Sequence, residues 1–580
     1  MAVARASGVS AGQRQLLGPQ TSGRVYRNLS GTDHRIKSLL DVALPMRDGT
    51  VLRADVHLPH SDEPVPALVA VSPYPRQAQY LGLPAGMIEA GQTDFWVPRG
   101  YGHVIVNVRG TCGSEGAYRL QGTAGDLYEI VEWVAAQSWC TGKVGMIGVS
   151  YFAIEQYRAA LEHPPHLVAI FPWSGSVDWY REIVRHGGIF SGRFFGMYFA
   201  ALGMVSKRGG TMFRGPIFRQ LNRILELPGL HRHFDHPPKD QLRAFNRVLR
   251  LDYDADPWDE IYLDLVVRHE LFDDYWTDLD LTDRLGEIDI PVYAGGDWAN
   301  PAFHLPASFA MWEQGNRSQL RIVMPPRGCL QWPWESLHIE ALAWYDHWLK
   351  GRDTGVLEGP PIRYFLHGAE TWQQTDRWPP NGDAWTSLVL SAEGRLGGSS
   401  VGESLSYLYL PSTSRRGRNA NPLRMPSGLS WQTEPFAADA DLIGPSVLHL
   451  VAATTAADTD WFVKLRLLPR AGTAVDLTQG WLRASHRELD PSRSTALRPY
   501  HPHTRRLSVP PKECVDYDIE ILPTAQRIHP GDRLELQLQS ADDPAFAMQA
   551  ITHDEIGLPA TNTVYDRSTL TLPLTTVNPR

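Results

Sequence analysis

The stretch GMIGVSYFA, residues 145–153, decides how this chain is read. An apolar run ending in Met146 and Ile147 leads through Gly148 to Ser150, which reads as a hydrolase nucleophile on a sharp strand-to-helix turn. The usual G-x-S-x-G spacing is broken, because Phe152 stands where the second glycine belongs.

The flanking sequence supplies the context such a serine requires. PALVAVSPYP (66–75) and GHVIVNVRG (102–110) are short continuous apolar runs ended by turn residues, as in strands buried on both faces of a parallel sheet. AGDLYEIVEWVAAQSW (124–139) carries Leu127, Ile130, Val131 and Val134 at helical spacing, so strand, helix, strand and serine follow in βαβ order. Upstream, LLDVALPMRDGTVLRADVHLP (39–59) alternates around Asp48-Gly49 and predicts a hairpin.

Downstream, HLVAIFPWSG (166–175) predicts another strand, after which residues 178–285 become rich in Trp, Phe, Tyr and Arg. Stretches 193–204, 218–227 and 240–251 read best as helices, so this region is expected to be a helical cap inserted over the carboxyl edge of the sheet. IDIPVYAGG (288–296) and QLRIVMPP (319–326) return to buried-strand character, and 335–351 forms a closing helix ended by Gly351. From Pro360 onward, short alternating segments such as 362–368, 386–391, 460–469 and 532–540 are separated by Pro, Gly and Asp, the pattern of an all-β domain. The expected division is a disordered tail over 1–23, an α/β core over 24–177 and 286–351, the cap over 178–285 and the β domain over 352–580.

Composition limits the function classes. With 580 residues and a net charge of -9, the chain exceeds one ordinary core and carries no basic runs, which argues against nucleic acid as a partner. Cys112, Cys140, Cys329 and Cys514 lie far apart, without C-x-x-C spacing, so reduced thiols in a cytoplasmic protein are expected rather than zinc or disulfides. His501 and His503 are a pair without further ligands, so no metal site is expected, and no motif calls for a cofactor. No apolar run is long enough for a membrane span. A small-molecule substrate is the expected partner, with a homo-oligomer left open.

Several stretches together resemble the cocaine-esterase and X-Pro dipeptidyl-peptidase group of α/β-hydrolases, the CocE/NonD family. They are MRDGTVLRADVHLP (46–59), SPY (72–74), VRGTCGSEG (108–116), VEWVAAQSWCTGKVGMIGVSY (131–151), PPHLVAIFPWSG (164–175), YDHWLKG (345–351), PPIRYFLHG (360–368) and ILPTAQRIHPGDRLELQL (521–538), in collinear order. The resemblance implies an α/β-hydrolase core, an inserted helical cap and a C-terminal jelly-roll domain of the galactose-binding-like kind. It also implies an elbow of the form G-x-S-Y-x-G, whose small residue is matched by Ala153.

A serine alcohol needs a base, an orienting acid and donors for the oxyanion. The fold offers the backbone N–H of Tyr151 as one donor, and the resemblance implies the Tyr74 hydroxyl as the second. Aligned on the family, the acid position holds Asn300, with Asp297 three residues earlier, and the base position holds Arg327. A guanidinium stays protonated and cannot take the serine proton. His304 and His338 are the candidate substitutes for the base, and cap aromatics including Trp173, Trp179, Phe194, Phe195 and Tyr198 are candidates to line an apolar pocket.

Three readings therefore stand. One is a serine hydrolase acting on esters or amides of small hydrophobic or aromatic acyl compounds through acyl-Ser150, with a displaced histidine as base. Another is non-hydrolytic chemistry (cyclisation, isomerisation or acyl transfer) in which Arg327 holds an anionic substrate group. The last is ligand binding alone.

Overall fold

A computed structural model describes residues 23–79, 89–122, 124–199, 202–203, 257–298, 301–327, 337–380, 382, 385–411, 428–542 and 553–577. The tail over 1–22, the helices expected at 218–227 and 240–251, Cys329 and Asn300 lie outside the described residues.

Among the described residues the first sheet has ten strands. In chain order they are β1 (Ile36–Pro45), β2 (Val51–Pro59), β3 (Val65–Ser72), β4 (Gly102–Asn107), β5 (Cys140–Val149), β6 (Leu167–Trp173), then β9 (Val292–Gly295), β10 (Leu320–Met324), β11 (Ile362–Leu366) and β12 (Thr371–Thr375), while β7 (Arg185–His186) and β8 (Ile189–Phe190) form a separate hairpin. Their spatial order is β1-β2-β4-β3-β5-β6-β9-β10-β11-β12. β1 and β2 pair as the hairpin predicted around Asp48-Gly49, with Gly49 at φ 86° closing the turn. From β4 through β3, β5, β6, β9 and β10 to β11 every pairing is parallel. Both faces of the central strands are covered, which is why Ala67 to Val71 of β3 are all 0% exposed and why these strands read as unbroken apolar runs.

Helix α1 (Ala124–Ala135) packs on β5, and α2 (Tyr151–Leu161) follows Ser150 directly and is buried along its whole length. A single turn α3 (Pro301–His304) and the longer α4 (Pro306–Gln314) follow β9, and α5 (His338–Trp348) precedes Gly351, whose φ of 67° ends the helix.

The structure departs from the sequence reading in two places. Ile362–Leu366 and Thr371–Thr375, expected within the β domain, extend the first sheet instead. A short strand that alternates buried and half-buried residues carries the same two-residue period in either sheet, so sequence alone does not say which one it joins. Nor is the described part of the cap purely helical: a π-helical turn, Tyr180–Val184, leads into the hairpin of β7 (Arg185–His186) and β8 (Ile189–Phe190). Strands of two residues are too short for any periodicity to appear.

Beyond the first sheet lies a sheet-rich C-terminal domain, with eleven strands among the described residues, led by the long antiparallel pair Ala440–Thr454 and Val515–Ile528. It has its own core, containing Trp431, Leu448, Trp461, Ile519 and Leu536. Among the described residues Cys112, Cys140 and Cys514 form no disulfide, and no helix is long and apolar enough to cross a membrane.

Candidate active site

Ser150 sits at the carboxyl end of β5 with φ 60° and ψ -117°, a conformation that costs a non-glycine residue about 1–3 kcal/mol and concentrates at functional sites. The strain is held by hydrogen bonds: Ser150 N–H donates to the Trp173 carbonyl at 3.1 Å, and Val149 N–H to the Glu89 carbonyl at 2.9 Å. The glycine before the serine is obligatory. A Cβ on Gly148, at φ 135°, would lie 2.4 Å from the Phe152 Cβ and 2.9 Å from the Glu89 oxygen.

The missing second glycine is explained by where the helix makes its close approach. Phe152 is fully buried, whereas the Ala153 methyl would lie 3.0 Å from a Cβ placed on Gly175, in the turn after β6. The tight contact falls at 153, one position later than in G-x-S-x-G, and the small residues are Ala153 and Gly175. Gly148→Ala is expected to cost about 3 kcal/mol or more through clash and backbone strain. Denaturant unfolding checks it, with a lowered midpoint expected.

Position 304 is brought to the serine by a sharp return of the chain after β9. Gly295 and Gly296 end that strand, and a Cβ on Gly296 would lie 2.1 Å from the His304 carbonyl oxygen. Only a residue without a side chain lets α3 fold back so closely. As a result His304 Nε2 lies 3.3 Å from Ser150 Oγ. Burial pushes the His304 imidazole down to about 4, so the ring is neutral and able to accept a proton at neutral pH.

The sign of the resulting pH dependence is fixed. A folded-state value of about 4 against an ordinary 6.5 means the unfolded chain binds the extra proton first, so this group makes the fold less stable as pH falls from about 6.5 through 4. His57, His103, His186 and His367 are held low by the same burial. Unfolding midpoints in urea are therefore expected to fall between pH 7 and pH 5; a midpoint constant over that range would contradict these buried neutral rings.

Tyr74 follows β3, and Asn107 Nδ2 donates to its carbonyl at 2.6 Å. Its ring meets Tyr151 and Phe152 edge-on at 5.9 and 6.0 Å, and its hydroxyl lies 3.3 Å from that of Tyr198. Burial, reinforced by the nearby Glu89 carboxyl, pushes Tyr74 well above the ordinary phenol value, so the hydroxyl keeps its proton and can donate it. Burial also raises Glu89 itself to about 8.

Ser150, His304, Tyr74 and Tyr151 border one small cavity of about 40 Å³, whose other walls include Trp179, Phe194, Tyr198 and Phe303. Tyr151 also borders a second cavity of about 260 Å³ that reaches Arg109, Tyr118 and Glu155, and its hydroxyl lies 3.2 Å from that of Tyr118.

The remaining candidates lie elsewhere. Arg327 turns toward the C-terminal domain, where its guanidinium donates to the Leu477 carbonyl and Thr524 hydroxyl at 3.4 Å each and its backbone N–H donates to His367 Nε2 at 3.0 Å. Burial lowers its basicity to about 10, offset in part by the charges of Asp297 and Asp476, so it remains a cation. It is not among the residues bordering the serine cavity. Asp297 is buried after β9, near Arg327. His338, fully buried at the start of α5, accepts from Gln92 N–H at 3.3 Å and packs on Phe95 with ring centroids 4.7 Å apart. Of the aromatics named from sequence, Trp173 lies in β6 beneath the site, stacked on Phe171. Sequence reasoning missed Glu89 and Tyr118, which fall in no motif and reach the site only through tertiary packing. Among the described residues there is no cluster of three or more His, Cys, Asp or Glu fit to hold a metal.

Comparison with known proteins gives this arrangement its relatives. Residues 48–328 match the X-Pro dipeptidyl-peptidase (S15 family), and residues 354–571 match the X-Pro dipeptidyl-peptidase C-terminal non-catalytic domain. The chain is 26% identical to the cocaine esterase of Rhodococcus sp. (strain MB1 Bresler) over 87% of its own length and 91% of that protein. In fold it resembles a CocE/NonD family hydrolase from Staphylococcus aureus, with a TM-score of 0.73 at 23% identity over 93% of this chain and 94% of that one. It also resembles an alpha-amino acid ester hydrolase, with a TM-score of 0.69 at 19% identity over 97% and 100% of the two chains. With an α/β-hydrolase core ending in a serine elbow and both family domains matched in order, the chain belongs to the CocE/NonD, X-Pro dipeptidyl-peptidase-like family of hydrolases.

Proposed function

We propose that the chain is a serine hydrolase that cleaves esters or amides of small hydrophobic or aromatic acyl compounds through an acyl-Ser150 intermediate, with His304 as the base. The observation that carries the reading is the 3.3 Å approach of a neutral His304 Nε2 to Ser150 Oγ. His304 takes the serine proton as Oγ attacks the acyl carbon, and the tetrahedral oxyanion is held by the Tyr151 N–H and the Tyr74 hydroxyl. His304 then gives the proton to the leaving alcohol or amine, and a water activated by the same imidazole releases the acid.

The small aromatic cavity argues for compact acyl groups, in keeping with relatives named a cocaine esterase and an alpha-amino acid ester hydrolase. Arg327, facing the C-terminal domain, gives no support to an anion-holding role beside the serine. The C-terminal domain is read as the jelly roll that covers one side of the catalytic domain, and a cytoplasmic location fits cysteines that are not joined in disulfides.

A series of p-nitrophenyl esters tests the substrate class. Acetyl esters are expected to react with a burst of about one p-nitrophenol per chain and with kcat/KM at least ~10²-fold above that of a dodecanoyl ester, because a long chain does not fit the cavity without displacing its walls. Preference for the long ester would overturn the assignment of a small acyl group.

A further inference from the structure

A chain of buried hydrogen bonds crosses from the C-terminal domain to the turn that carries His304. In the C-terminal domain, Asp542 Oδ2 lies 2.6 Å from His553 Nδ1 and also accepts from the His553 backbone N–H at 3.1 Å. His553 Nε2 lies 2.9 Å from Nδ1 of His186, in β7 of the cap hairpin. His186 Nε2 in turn faces the Glu182 carbonyl at 2.9 Å and the Ala302 carbonyl at 3.3 Å. Ala302 lies in α3, two residues before His304. All three side chains of the relay are buried, and the His186 ring stacks on Phe303 with centroids 5.8 Å apart.

The partners fix the direction of every bond. Nε2 of His186 faces only carbonyls, so it carries a proton, and burial keeps the ring neutral, leaving Nδ1 as an acceptor. His553 Nε2, at 2.9 Å, must then donate to it, alongside the Ser191 hydroxyl at 3.3 Å. For Nε2 to donate while Nδ1 faces Asp542 Oδ2, the Asp542–His553 pair must carry two protons, one between Nδ1 and Oδ2 and one on Nε2, with the carboxylate compensating the second. The hairpin that presents His186 is gripped as closely as its chemistry allows: a Cβ on Gly187 would lie 2.1 Å from the Trp481 carbonyl oxygen, and Arg483 N–H donates to the Gly187 carbonyl at 2.8 Å.

We propose that Asp542 and His553 of the C-terminal domain are positioning residues for catalysis: through His186 they hold the Ala302 carbonyl, and with it the single helical turn that presents His304 to Ser150. On this account the C-terminal domain sets the geometry of the base. The proposal rests on the assignment of His304 as that base.

Asp542→Asn separates this role from packing. The amide oxygen must stay at the Oδ2 position, because the His553 backbone N–H needs an acceptor there. Nδ1–H of His553 then donates to it, and Nε2 turns a lone pair toward the lone pair of His186 Nδ1. The shape is kept, but a neutral amide cannot compensate the second proton, so Nε2 loses its hydrogen. His553→Phe removes the donor altogether, whereas His553→Gln can keep an N–H directed at His186.

The test is phosphonylation of Ser150 in the full chain by a fluorophosphonate, resolved into an inactivation constant and a binding constant, with circular dichroism establishing that each variant is folded. Asp542→Asn and His553→Phe are expected to slow inactivation by about 10- to 100-fold with binding unchanged, the cost of a small misplacement of a catalytic group, and His553→Gln to recover part of the rate. Wild-type protein that labels while folded Asp542→Asn labels within twofold of it would overturn the proposal and leave the base assignment standing. A folded wild-type protein that does not label at Ser150 would overturn both.

Discussion

His304→Gln is expected to lower the rate of Ser150 acylation by about 10⁴- to 10⁶-fold, the loss seen when a serine nucleophile is deprived of its base. Glutamine keeps roughly the volume of the ring and can still hydrogen-bond to Ser150 Oγ, but it cannot accept a proton for transfer. The neutral state of His304 adds a second expectation. With the group held down to about 4, kcat/KM stays level from neutral pH down toward 5 and falls only as pH drops through about 4. An unchanged rate in folded His304→Gln would place the base elsewhere.

Tyr74→Phe is expected to reduce kcat by about 10²- to 10³-fold with little change in KM, because an oxyanion donor acts on charge that develops only in the transition state. Phenylalanine preserves the edge-on contacts with Tyr151 and Phe152 at 5.9 and 6.0 Å, so the loss can be assigned to the hydroxyl. Steady-state kinetics on a short aromatic ester measures it. A kcat within a few fold of wild type would restrict Tyr74 to packing and leave the Tyr151 N–H as the donor that remains from this reading.

The fold was legible where burial writes itself into sequence. β3, β4, β5 and β6 are covered on both faces and read as unbroken apolar runs, and the elbow follows from the strand, glycine, serine and helix in order. The placement of β11 and β12 was not legible, because a two-residue period does not name the sheet that a strand joins. At the site, Ser150 follows from local context alone. His304 could be named from sequence as a substitute, yet its arrival beside Ser150 depends on the fold-back at Gly296, for which a Gly-Gly pair closing a strand is the only local sign. Arg327 reads as a replaced base when aligned on the family, but its side chain is spent on the Leu477 carbonyl and Thr524 of the other domain. The relay through His553 and His186 joins residues more than three hundred positions apart and left no mark that spacing could reveal.

The central claim, that Ser150 is a nucleophile activated by His304, is tested most directly by mapping the adduct of a fluorophosphonate on the intact chain by mass spectrometry. The account predicts a single phosphonyl group on Ser150, absent from Ser150→Ala and formed at least ~10³-fold more slowly in His304→Gln. A folded wild-type chain that takes no adduct, or takes it on a residue other than Ser150, would contradict it.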